Sequence, residues 1–71
     1  MKNLLTEREL EVLELLIKGM NNSEISEILH VSVNTTKAHL ESIYDKLGVK
    51  NRVQACIKSL ALDIINLDGV A

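Results

Sequence analysis

The chain has no proline, phenylalanine or tryptophan, and only one tyrosine, one cysteine and three glycines among its 71 residues. Each scarcity removes a class of explanation. Without Phe or Trp, the chain has no aromatic platform on which to stack the bases of a single strand. Cys56 stands alone, so it forms no internal disulfide and no CxxC or Cys/His metal pair; a reducing cytoplasm suits it, and neither metal nor other cofactor is expected. No apolar run approaches the roughly 18 residues needed for a membrane span. The opening MKNLLTERE turns acidic too early for a secretion signal, so a membrane role is not expected. With no proline and little glycine to interrupt helices, the expectation is an all-α fold.

What is present sets the scale. A hydrophobic content of 46%, rich in Leu, Ile and Val, supports one small core near the lower size limit for a domain without disulfides or metal. The formal charge of −2 argues against holding a polyanion through net charge and leaves only local distribution to do so. No linker, repeat or low-complexity tract divides the chain, so residues 1–71 read as a single domain with its core at about 4–65.

Four helices are predicted. The first follows Thr6, whose hydroxyl caps it while Glu9 reaches back in a capping box, and runs to about Lys18 before Gly19. Leu5, Val12, Leu13, Leu16 and Met20 share its apolar face, with Arg8, Glu11, Glu14 and Lys18 solvated. The second repeats the start signal with Asn21 and Glu24 and buries Ile25, Ile28 and Leu29. After the break at His30 and Val31, Ser32 caps a third helix over about 33–47, ended by Gly48, with Thr36, Leu40, Ile43 and Leu47 inward. The fourth begins at Asn51, with Gln54 completing a further capping box, and continues to about Ile65. Its core stripe is expected to be Val53, Cys56, Ile57, Leu60 and Ile64, with Ala55, Ser59 and Leu62 on the opposite side.

Two short helices joined by a tight turn, the second with a capped start, describe a helix-turn-helix inside a four-helix, bundle-like domain. In that motif the second helix enters the major groove of double-stranded DNA and presents its N-terminal residues to base edges. The outward face of the third helix suits such use. Asn34, Thr35 and Ala38 are short enough for close approach, and Lys37 is long enough to reach guanine or phosphate. Glu41 and Asp45 continue that row, flanked by Ser42, which is counted with the DNA-contacting set, and Lys46 lies beyond as an expected phosphate contact. Asn22 and Ser23, at the amide end of the second helix, are placed for phosphate.

The segments LTERELEVL from Leu5, NNSEISEILHVS from Asn21, NTTKAHLESIYDKLGV from Asn34 and NRVQA from Asn51 together resemble the DNA-binding domain of the LuxR/NarL family of bacterial transcription regulators. The resemblance implies a four-helix domain that binds DNA as a dimer, with the third helix as reader and the fourth as dimer contact. It makes Lys37 a base or phosphate contact, Ala38 the small reader beside it and Thr35 a backbone-phosphate contact. Two positions depart from the family pattern. Glu41 stands where other members hold a basic or hydroxyl reader; it either accepts from cytosine N4 or points away. Thr36 stands where Val or Leu is usual and weakens the core beneath the recognition helix.

Charge distribution is compatible with phosphate binding. Between Asn34 and Arg52 the cations Lys37, Lys46, Lys50 and Arg52 face the anions Glu41 and Asp45, and most of the negative excess lies elsewhere. Modest affinity per subunit makes paired or inverted half-sites important. The expected homodimer uses Ala55, Ser59 and Leu62 and is weak off DNA. RNA polymerase is a further candidate partner, and a helical module that binds another regulator without touching DNA is the alternative reading, favoured by Glu41 and Asp45 on the outward face. Enzyme activity is not expected: there is no Ser/His/Asp set, no paired-carboxylate spacing and no Gly-rich phosphate loop. His39 and Cys56 are read as structural. A start at Met1 fits either a small complete regulator or the C-terminal piece of a larger one.

Overall fold

A computed structural model describes residues 5–62. Among them are four helices and no strand: α1 (Glu7–Ile17), α2 (Asn22–Leu29), α3 (Val33–Leu47) and α4 (Arg52–Ala61). Their starts are fixed locally. Thr6 accepts from the Glu9 amide at 3.1 Å while the Glu9 carboxylate accepts from the Thr6 amide at 3.0 Å. Asn21 and Glu24 make the same reciprocal pair at 2.8 and 2.9 Å. Ser32 and Asn51 cap α3 and α4 by accepting from the Thr35 and Gln54 amides. Gln54 does not close a capping box: its side chain accepts from the amide of Lys50, one residue before the cap.

The helix ends share one closure. Met20, Val31 and Val49 each donate a backbone N–H to the carbonyl five residues earlier, on Leu15, Ser26 and Tyr44, at 3.1, 3.0 and 2.9 Å. The preceding residue must then turn left-handed. Gly48 does so at φ 71°, without a Cβ to oppose it; His30, at the end of α2, takes φ 58° with one. The turn between α2 and α3 is therefore three residues long, 30 to 32, and is set by backbone hydrogen bonding.

α3 packs against all three other helices and forms the centre of the molecule. Leu5, Val12, Leu13, Leu16, Ile25, Leu40, Ile43, Leu47 and Ala55 make the core, as the periodicity of α1 and α3 requires. Two expectations about facing are corrected. Ile28 is exposed, because the buried side of α2 runs through Ile25 and Ser26 rather than through Ile25 and Ile28.

The larger correction is that α4 is turned over. Ala55 and Ser59 are fully buried, whereas Val53 and Ile57 are each 62% exposed and Leu60 is 43% exposed; Cys56 is half-buried. The large side chains of α1 and α3 already fill the interior, so α4 docks through its small residues. The Ser59 hydroxyl is compatible with burial because it donates to the Cys56 carbonyl at 2.9 Å. Ala55 and Ser59 are thus part of the core and do not present the outward face expected of them, while Leu62 is exposed at the end of α4. Ile64 and the expected last turn to Ile65 lie outside the described residues.

Candidate nucleic-acid interface

The site is built on the crossing of α2 and α3. Asn34, Thr35, Lys37, Ala38 and Glu41 all project into solvent from the first three turns of α3, opposite the buried Thr36 and Leu40. Ser23 is exposed and Asn22 half-buried at the start of α2. An open groove brings part of this set together: Asn21, Asn22 and Ser23 from α2 and its cap, Lys37, Leu40, Glu41 and Tyr44 from α3, and Arg52 from the first turn of α4. The groove thus joins a helix N-terminus, where first-turn amides carry partial positive charge, to two cationic side chains. Arg52 is held there by a 3.2 Å hydrogen bond from Nη2 to the Asn22 side-chain oxygen. Sequence reasoning counted Arg52 only as a charge, because its partner lies 30 residues away.

Ser42 and Lys46 are directed elsewhere. The Ser42 hydroxyl donates to Glu9 Oε2 at 2.6 Å and Lys46 Nζ to Glu9 Oε1 at 2.7 Å, so both tie α3 to the start of α1. The phosphate role expected of Lys46 and the groove role expected of Ser42 are not what this geometry favours. By its spacing from Thr6, Glu9 is expected only as a capping residue. A signal of its burial was present, because it lies three and four residues before Val12 and Leu13 and so falls on their apolar stripe. Burial works against the charged carboxylate, but hydrogen bonds from Lys46, Ser42 and the Thr6 amide, together with the Lys46 charge, outweigh it and hold the pKa at about 2.

The α2 and α3 surfaces meet through two buried hydroxyls. Ser26 Oγ lies 2.7 Å from Thr36 Oγ1 and donates to the Asn22 carbonyl at 2.7 Å. Thr36 therefore adds a polar link across the crossing instead of merely weakening the core. His39 is half-buried on α3. Burial pushes the Cys56 thiol up, with Arg52 opposing in part, which keeps it in the unreactive protonated form. Among the described residues no group of His, Cys, Asp or Glu is arranged to hold a metal, and no helix is long and apolar enough to cross a membrane.

Comparison with known proteins places this arrangement. Residues 3–59 match the family model described as bacterial regulatory proteins, luxR family. The chain is 42% identical over 62 residues to the response regulator protein VraR of Staphylococcus aureus, and equally to that of Staphylococcus epidermidis, covering 87% of this chain and 30% of each relative. It spans about a third of the length of those relatives. Among solved structures, the transcription factor GerE superposes with a TM-score of 0.85 at 37% identity, covering 94% of this chain and 100% of that one. The response regulator ChrA of a heme-sensing two-component system gives the same score and identity over 92% of this chain and 32% of its own. The chain belongs to the luxR family of bacterial regulatory proteins, as a helix-turn-helix domain of the DNA-binding type.

Proposed function

We propose that this chain binds double-stranded DNA in a sequence-dependent manner to regulate transcription in the bacterial cytoplasm, with α3 in the major groove and the start of α2 against the phosphate backbone. The observation that carries the reading is the exposed row Asn34, Thr35, Lys37, Ala38 and Glu41, set beside the amide end of α2 and the two cations Lys37 and Arg52. Short side chains let the helix approach base edges, Lys37 reaches guanine or phosphate, and Glu41, in the same groove, accepts from cytosine N4. Thr35, Arg52 and the α2 amides then serve as positioning contacts, which fix orientation without reading sequence.

Pairing of two copies through α4 belongs to the same reading, on a different face from the one expected. Val53, Ile57 and Leu60 form an exposed apolar stripe on one side of α4, and a two-fold axis beside it would bury the stripe against itself. Three side chains cover far less than a stable dimer interface, so pairing off DNA is weak and is completed when one duplex holds both subunits. Selection of bound sequences from a random duplex library tests the proposal. Enrichment of a motif with two related half-sites about one helical turn apart is expected; recovery of unenriched sequence would remove it.

A further inference from the structure

The buried hydroxyls of Ser26 and Thr36 occupy a place where apolar side chains of similar size would pack. Ser26 is 5% exposed and Thr36 fully buried, and both belong to the crossing that sets how α3 stands relative to α2. Two hydroxyls supply two hydrogens. The arrangement that uses both short contacts has Thr36 donating to Ser26 Oγ and Ser26 donating to the Asn22 carbonyl, each at 2.7 Å. A directed chain of hydrogen bonds therefore runs from the second turn of the recognition helix, one residue before Lys37, to the first turn of α2. The chain ends at the Asn22 backbone carbonyl; the side-chain oxygen of the same residue accepts separately from Arg52.

Resting on the DNA-binding reading above, we propose that Ser26 and Thr36 are positioning residues: their hydroxyl link locks the register of α3 against the phosphate-facing end of α2, and so sets how sharply the chain discriminates between duplex sequences. The physical reason is the difference in tolerance between contact types. Apolar contact between two methyl-sized groups changes little over a small slide or rotation, whereas an O–H···O bond is confined in distance and angle. A buried polar pair of this kind selects one arrangement among several that pack equally well. Phosphate contacts made by α2 fix the domain on the backbone, and the hydroxyl link transmits that placement to the side chains that meet base edges.

The test compares Ser26→Ala, Thr36→Val, the double variant and Thr36→Ser. Each is titrated by fluorescence anisotropy against a duplex recovered by selection and against its scrambled counterpart, and each is melted. Ser26→Ala should melt below the double variant, because it alone leaves the buried Thr36 hydroxyl without its Ser26 partner. The double variant should melt at or above the unaltered chain and bind the scrambled duplex as well, yet lose about fivefold in the ratio of selected to scrambled affinity, the order of one weakened base contact. Thr36→Ser, which keeps the hydroxyl and gives up a methyl, should melt lower and keep the ratio. Thr36→Val alone gives the same reading if the double variant folds poorly, because Ser26 keeps the Asn22 carbonyl as acceptor. An undiminished ratio in the apolar variants, or equal loss in Thr36→Ser, overturns the proposal. Failure of the unaltered chain to distinguish the two duplexes overturns the DNA-binding reading and the proposal with it, and is recognised before any substitution is made.

Discussion

The Glu9 carboxylate on α1 accepts a 2.7 Å hydrogen bond from Lys46 Nζ on α3, across 37 residues of sequence. With Ser42 on the second oxygen, this contact anchors the far half of α3 to the capped start of α1. Ser42 and Lys46 in this half reach Glu9, whereas Asn34, Thr35, Lys37 and Ala38 in the half before it are exposed.

That link makes stability depend on pH. The folded carboxyl of Glu9 sits at about 2 against an ordinary value of 4.5, so its contribution is present in full above about pH 5 and is lost as pH falls from 4.5 toward 2. The loss should amount to about 2 kcal/mol after allowance for the solvent that reaches Lys46. Urea midpoints of the unaltered chain and of Glu9→Gln should differ at neutral pH and converge near pH 2; parallel profiles would contradict the assignment.

Lys46 and Lys37 should separate stability from recognition. Lys46→Ala leaves the buried Glu9 without its cation and should cost about 1–3 kcal/mol of stability. Lys37→Ala, on an exposed surface, should leave the melting temperature nearly unchanged and weaken binding to a selected duplex by about 1–3 kcal/mol if the side chain reads a base. Thermal melts and anisotropy titrations of the two variants check both halves. Equal loss on selected and scrambled duplexes would reduce Lys37 to a phosphate contact.

Left-handed backbone at a residue with a Cβ identifies His30 as a site of avoidable strain. The other two helix ends of the same hydrogen-bonded form carry Gly19 and Gly48 at that position, at φ 93° and 71°. Because the His30 side chain is exposed, His30→Gly loses little packing and should stabilise the domain by about 0.5–1 kcal/mol, the left-handed cost less the added entropy of the unfolded chain. A lower melting temperature in the variant would show that the imidazole holds a contact worth more than the strain.

On α4, Ile57→Glu should leave the fold intact and abolish cooperative occupancy of two half-sites, since Ile57 is 62% exposed in the middle of the apolar stripe. Circular dichroism checks the fold, and gel shifts on one and two half-sites check the pairing. Undiminished cooperativity would move the contact off this face.

Sequence revealed what short-range chemistry determines. Thr6 with Glu9, Asn21 with Glu24, Ser32 and Gly48 mark helix ends through partners at most a few residues away, so α1, α2 and α3 were legible almost to the residue. The inward sides of α1 and α3 were legible too, because both present a stripe of large aliphatic residues. α4 was not. Its two sides carry large and small residues, and which one faces inward depends on the space left by α1 and α3, where Ala55 and Ser59 fit. The Glu9 anchor, the Ser26 to Thr36 link and the hold of Asn22 on Arg52 join residues 10 to 37 apart, beyond the reach of helical periodicity.

The central claim, that this acidic chain holds a duplex through a local cationic surface, is tested most directly by the salt dependence of its binding to a two-half-site duplex. A dimer making about three phosphate contacts per subunit should give a slope of roughly −5 for log affinity against log salt concentration. A flat response would contradict duplex binding through phosphate contacts and favour a domain that docks on another protein.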